Sequence, residues 1–154
     1  MISIQADDFD PGVEQALLSE DKSAGAVVTF TGLVRDMNLG EKVGGLFLEH
    51  YPGMTESALQ QIIDEACERW PINKVRIIHR IGQLSTGDRI VFVGVASAHR
   101  KAAFAGCEFI MDYLKIRAPF WKKETTPEGD RWLDARDQDQ EAATRWQSGE
   151  NGDD

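Results

Sequence analysis

Four positive side chains, Lys115, Arg117, Lys122 and Lys123, surround Pro119, Phe120 and Trp121 in the stretch "YLKIRAPFWKKE", residues 113–124. A lysine held among aromatic walls and other cations gives up its proton more readily than one in water, and can then serve as a nucleophile or proton carrier. A plainer reading stands beside this one. Lys115 ends a predicted helix, where a cation suits the dipole, and the other lysines could simply line a surface strand. Side chains alternate along a strand, so only one of the paired lysines can share a side with Phe120. Parity puts Lys122 with Phe120 and Lys123 with Trp121.

A second cationic group lies in "SAHRKA", residues 97–102. It follows an apolar strand and opens a helix, where backbone N–H groups attract anions and His99 and Arg100 would strengthen the attraction. The alternative is a solvated first turn. Arg35 opens the polar stretch after another strand, a position that suits either a binding residue or a surface arginine. Other chemistries find little support. The chain has no G-x-S-x-G elbow and no phosphate-binding glycine loop. His50, His79 and His99 lack metal-ligand spacing, and no C-x-x-C occurs, so no metal site is expected. His79, inside an apolar strand pattern, reads as a structural histidine, and Cys67 and Cys107 read as core.

These residues need elements to hold them. Residues 2–5 suggest a short strand, and Asp10-Pro11 a capped helix start running to about Ser19. Residues 25–34 read as a strand, 35–45 as a mobile loop, and 46–51 as a second strand able to pair with the first. Thr55 can cap a helix whose apolar stripe is Leu59, Ile62, Ile63, Ala66, Cys67 and Trp70. Residues 74–82 and 89–97 read as strands joined through "STGD", the second apolar on both faces and therefore central. A helix is expected from His99 to about Lys115. Two short strands, "APFWKKE" and "DRWLDA", follow around the turn "TTPEG", and then a short helix over 137–147. Residues 148–154 read as an acidic, disordered tail behind a single domain spanning 1–147. Helices and strands mix without a βαβ rhythm, which predicts an α+β domain with helices packed on a mainly antiparallel sheet.

Charge is unevenly distributed. The 154 residues carry a formal charge of −9. From Glu124 onward ten acids face three arginines, a net of −7, which leaves −2 for everything before. The body is thus near neutral and can carry a positive site, while the acidic total argues against nucleic-acid binding. No apolar run is long enough to span a bilayer, and the N-terminus lacks the pattern of a signal peptide. With two cysteines in helical patterns, the expected setting is the cytoplasm.

Helix length adds a constraint. Sixteen residues separate His99 from Lys115, about 24 Å along a straight helix. A bend at Gly106 would not close that distance. Either the chain has two cationic sites, or one pocket takes His99 and Arg100 from a neighbouring subunit.

Taken together, "GAVVTFTGLVRDMNLG", "LEHYPGMTE", "HRIGQLSTGD", "VFVGVASAHR", "FIMDYLKIRAPFWKKE" and "PEGDRW" closely resemble the large, catalytic subunit of molybdopterin synthase, from about Gly25 to Trp146. The resemblance implies an α/β hammerhead-type fold and a central homodimer. It implies a small ubiquitin-like sulfur-carrier subunit at each end, making a 2+2 heterotetramer. The partner's C-terminal Gly-Gly would carry a thiocarboxylate, and the substrate would be cyclic pyranopterin monophosphate. Two sulfur transfers then give the dithiolene of molybdopterin, with no cofactor held by the large subunit. By resemblance Lys115 and Lys122 match the catalytic lysines. Arg35, His99 and Arg100 match the anion pocket, and Arg136 a further arginine of the site. Phe30, Met111 and Pro119 match pocket wall, while Lys123 and Glu124 adjoin the catalytic segment and are expected to touch substrate. Leu33 departs from a basic residue found there in some relatives. A non-catalytic module binding a phosphorylated ligand, or an adaptor for a ubiquitin-like protein, would explain part of the same pattern.

Overall fold

The computed structural model describes residues 1–38, 41–42, 44–133 and 137–147. In order the elements are β1 (Ile2–Gln5), α1 (Pro11–Leu18), β2 (Ala26–Leu33), β3 (Met37–Asn38), β4 (Glu41–Lys42), β5 (Gly45–His50), α2 (Met54–Arg69), β6 (Ile72–Arg80), β7 (Gly82–Ser85), β8 (Arg89–Ser97), α3 (Arg100–Arg117), β9 (Phe120–Thr126), β10 (Gly129–Leu133) and α4 (Asp137–Gln147). The first four-stranded sheet has the order β1-β6-β8-β2, with β1 parallel to β6 and the other pairs antiparallel. The second, β10-β9-β5-β7, is antiparallel throughout. This is the expected α+β architecture, divided between two sheets instead of one.

Local sequence accounts for most of the elements. Asp10 caps α1 by accepting hydrogen bonds from the N–H groups of Gly12 (2.9 Å) and Val13 (3.4 Å), with Pro11 at the first helical position. β8 is buried along nearly its whole length, as its apolar run predicts. One face of the first sheet is covered by α2, α3 and α4, whose Leu59, Ile62, Phe109, Ile110 and Trp146 enclose the largest core cluster. Each such side chain contributes about 1.5–3 kcal/mol on burial. α1 covers the other face, packing Leu18 with Phe9 against Ile78 and Phe92. Gly106 serves packing: a Cβ there would meet Ile72 Cδ1 at 2.8 Å, so glycine lets α3 approach β6 closely.

Four expectations on pairing, strand length, burial and loops need correction. β5 does not pair with β2; it lies between β7 and β9 in the second sheet, while β2 pairs with β8. The apolar alternation of β5 fits either sheet, and only the long-range pairing decides between them. The strand expected over 74–82 is divided: β6 stops at Arg80, Gly82 takes φ 88°, and β7 leaves to join the second sheet. That φ suits glycine, which turns the chain from one sheet to the other. Cys67 lies on the exposed side of α2, in contrast to the buried Cys107. Within residues 35–45, read as a loop, β3 and β4 pair as a two-residue ribbon. Arg136 and the tail 148–154 lie outside the described residues.

Candidate functional site

Lys115 is exposed on the last turn of α3, a favourable position for a cation next to the helix C-terminus. Met111, one turn earlier and buried, lies on the same side of the helix. Ala118 caps α3 with extended backbone and Pro119 carries the chain directly into β9. Thr55 fixes this junction. Its hydroxyl donates to Pro119 O (3.0 Å) and accepts from Tyr51 N–H (3.0 Å), and the residue is fully buried. The helix it was expected to cap instead begins after Gly53, whose N–H donates to the Glu56 carboxylate at 2.9 Å.

β9 pairs with β5 in the register Phe120↔His50, Lys122↔Leu48 and Glu124↔Leu46. Phe120, Lys122 and Glu124 therefore share the inner face of the second sheet with Leu46, Leu48 and His50. Trp121 and Lys123 face outward. Lys123 Nζ sits over Phe47 (5.4 Å) and Trp132 (5.3 Å), 3.8 Å from Asp130. The parity read from sequence therefore holds. Glu124 is buried, and its Oε1 accepts from Arg131 Nε (3.2 Å) and Nη2 (3.1 Å) across the hairpin. Arg117 turns away, paired with Glu65 at 2.7 Å and lying over Tyr113.

Below the lysines lies His79, a residue that sequence reading assigned to the core. It is 2% exposed, and its ring stacks on Phe120 with centroids 3.7 Å apart and planes 17° apart. Burial brings its pKa from 6.5 down to about 3, against a raising hydrogen bond to Arg80; Lys122, Lys115 and His50 lower it further. The ring is thus a neutral imidazole packed against the first residue of β9. Cys107 takes no part: its thiol donates to Val93 O (3.7 Å), and burial pushes it up to about 12.

The remaining residues divide between the two ends of α3. His99 and Arg100 begin the helix and, with Trp70, Pro71, Lys101 and Ala102, line a hollow of about 470 Å³. No side chain caps this helix start. His99 follows the end of β8, whereas Lys115 bears on His79, whose register partner Val91 lies near the start of β8. α3 therefore runs back over the sheet and separates the two groups by about 24 Å. Arg35 lies at the opposite end of the first sheet from His99. It follows β2, whose Leu33 pairs with Arg89, and adjacent Val34 bonds to Asp88 O (2.9 Å) and Gly87 N–H (2.8 Å). Phe30 is exposed on β2, the edge strand of the first sheet.

Known proteins are similar to this chain in sequence and fold. The family model described as MoaE protein matches residues 4–117. The molybdopterin synthase catalytic subunit of Vibrio cholerae is 63% identical over 146 residues, covering 95% of this chain and 97% of that one. The subunit of the same name from Escherichia coli is 64% identical over 138 residues, covering 90% and 92%. Among solved structures, the molybdopterin biosynthesis MoaE protein from Burkholderia ambifaria superimposes with a TM-score of 0.82 at 53% identity, covering 96% and 97%.

Proposed function

The chain belongs to the MoaE protein family, and from that premise we propose that it is the catalytic subunit of a molybdopterin synthase, a sulfurtransferase of molybdenum cofactor biosynthesis. The observation that carries the reading to particular residues is the placing of Lys122 on the inner face of β9, two residues past the Phe120 ring that stacks on buried His79, with Lys115 in the last turn of the helix leading into that strand. The partner is a small ubiquitin-like subunit ending in a thiocarboxylate, and the substrate is cyclic pyranopterin monophosphate. Both reactants are anions, and bringing them together away from water requires fixed positive charge.

The thiocarboxylate sulfur bonds to a side-chain carbon of the pterin as a carbon–oxygen bond there breaks, the oxygen leaving with the ring-opened phosphate at one carbon and as water at the other, and pterin and partner are left joined as a thioester. Water then cleaves the acyl–sulfur bond. Its oxygen leaves with the partner as a carboxylate, and the sulfur stays on the pterin. A second partner molecule supplies the second sulfur, and the cyclic phosphate opens to a terminal one. Lys115 moves protons during sulfur attack, or forms a transient link to a carbonyl of substrate or partner. Lys122 orients the thiocarboxylate and stabilises negative charge as the acyl bond breaks. Arg35, His99 and Arg100 hold phosphate, with Arg136 as a further cation of the site. Phe30, Met111 and Pro119 form pocket wall. Glu124 supports the site from beneath through Arg131, and Lys123 flanks it from the other face of β9.

The separation along α3 means that one protomer cannot supply all of these cations. The working unit is therefore a homodimer in which His99 and Arg100 of one protomer complete the pocket holding the other's lysines, with a small subunit at each end. Unpaired Cys67 and Cys107 suit a reducing cytoplasm, and no helix among the described residues is long and apolar enough to cross a membrane. The test is to mix the purified protein with thiocarboxylated small subunit and the cyclic precursor and measure dithiolene product. Product is expected. Binding of precursor without product would instead identify a phosphate-ligand module, and binding of the small subunit alone an adaptor.

A further inference from the structure

His79 belongs to β6, where its backbone neighbours in register are Ile4 and Val91 of the first sheet. Its ring nevertheless reaches out of that sheet and stacks on Phe120, the first residue of β9 in the second. Nδ1 lies 2.8 Å from Arg80 O. A carbonyl only accepts, so Nδ1 carries the proton and Nε2 is left with a lone pair. Two lysines bear on the ring's charge, Lys122 from β9 and Lys115 from α3. A protonated ring would add positive charge where two ammonium groups already meet. Burial and those cations keep it neutral, so it offers an acceptor there and no charge.

Resting on the roles given above to Lys115 and Lys122, we propose that His79 is a positioning residue for the sulfur-transfer reaction: stacked on Phe120, its ring fixes where β9 begins, two residues before Lys122, and it sets a lone pair beside the two lysines. Its two contributions are separable. His79→Phe keeps an aromatic ring for the stack and loses the acceptor. His79→Gln keeps an acceptor and loses the ring. An acceptor stabilises a nearby ammonium, so its removal makes the lysine easier to deprotonate.

The decisive readout needs no substrate: acetylation of Lys122 by acetic anhydride across a pH series, followed by mass spectrometry, with surface Lys22 as internal reference. In His79→Phe the midpoint of Lys122 labelling is expected to fall by about half a pH unit or more, with Lys22 unchanged. In His79→Gln the midpoint stays nearer the wild-type value. Turnover with thiocarboxylated partner is expected to fall about tenfold or more in both, with KM for the precursor little changed, because lysine placement and not phosphate binding is disturbed. Wild-type labelling in His79→Phe together with wild-type kcat in both folded variants would overturn the proposal and leave His79 a core filler. Should neither variant fold, Phe120→Leu removes the stack alone. The same loss of kcat is then expected, and an unchanged kcat counts against the proposal. Because labelling requires neither partner nor precursor, its result stands apart from whether the chain turns over as proposed.

Discussion

Lys122 and Lys123 are neighbours in sequence and opposites in setting. Lys122 shares the inner face of β9 with Phe120 above a buried imidazole, whereas Lys123 lies outside between Phe47 and Trp132. Replacing Lys115 or Lys122 with alanine should lower dithiolene formation about a hundredfold or more, as expected for loss of a proton-transfer or charge-stabilising group, without loss of the fold. Lys123→Ala should cost only a few-fold on the order of a surface change. Steady-state turnover with circular dichroism on the same samples checks both. His79 gives a pH dependence with a definite sign. Its folded value, about 3, lies below the ordinary 6.5, so between these the unfolded chain takes up a proton that the folded chain refuses. Stability should therefore fall as pH drops through that window, by up to about 1.4 kcal/mol per pH unit from this group. Urea unfolding at pH 7 and pH 5 should give a smaller loss for His79→Phe than for the wild type; equal losses would remove this account of the ring. The lysine parity was legible because a strand repeats every two residues. The setting of His79 was not, because an apolar strand pattern identifies a buried side chain but not the second sheet its ring meets. Cys67 misled for a related reason: it lies at the margin of a helical stripe, where one step of rotation separates core from solvent.

At the scale of elements, the site depends on how α3 is joined to β9 and what holds that junction. Thr55 ties it to the start of α2 through two hydrogen bonds made by one buried hydroxyl. Thr55→Val keeps the shape and removes both, leaving Pro119 O and Tyr51 N–H without that partner. The expected cost is about 1–3 kcal/mol, or a fall of several degrees in melting temperature for a chain of this length. Faster hydrogen exchange at residues 118–122 should accompany it; unchanged exchange there would show that Thr55 does not brace the lysine segment. Sequence took Thr55 for a helix cap, a place the structure gives to Gly53, but it correctly foretold α1, α4, central β8 and the hairpin that carries Lys122. It did not reveal that the hydroxyl serves β9, 64 residues away. Nor did it give the division into two sheets. Local alternation specifies which face of β5 is apolar, and Gly82 marks a break, but the partner strand is chosen by contacts far apart in the chain.

At the scale of the whole molecule, the governing fact is the length of α3, 18 residues, with Lys115 at one end and Arg100 at the other. That separation was readable from sequence as soon as the helix was, since rise per residue is fixed. The structure adds that Arg35 stands at the end of the first sheet where β8 begins, away from the end that leads into His99 and Arg100. On the proposed reading, a protomer offers its lysines and Arg35 to one pocket and His99 with Arg100 to another, and a twofold dimer would complete both. Complementation in mixed dimers tests this most directly. Lys115→Ala and Arg100→Ala chains, each inactive alone, are co-expressed or refolded together, and dithiolene formation is measured with thiocarboxylated partner and precursor. Random pairing makes about half of the dimers mixed, and each of these has one pocket with both residues intact, so about a quarter of wild-type activity should return. Activity no greater than that of the two variants apart would contradict a pocket shared between protomers.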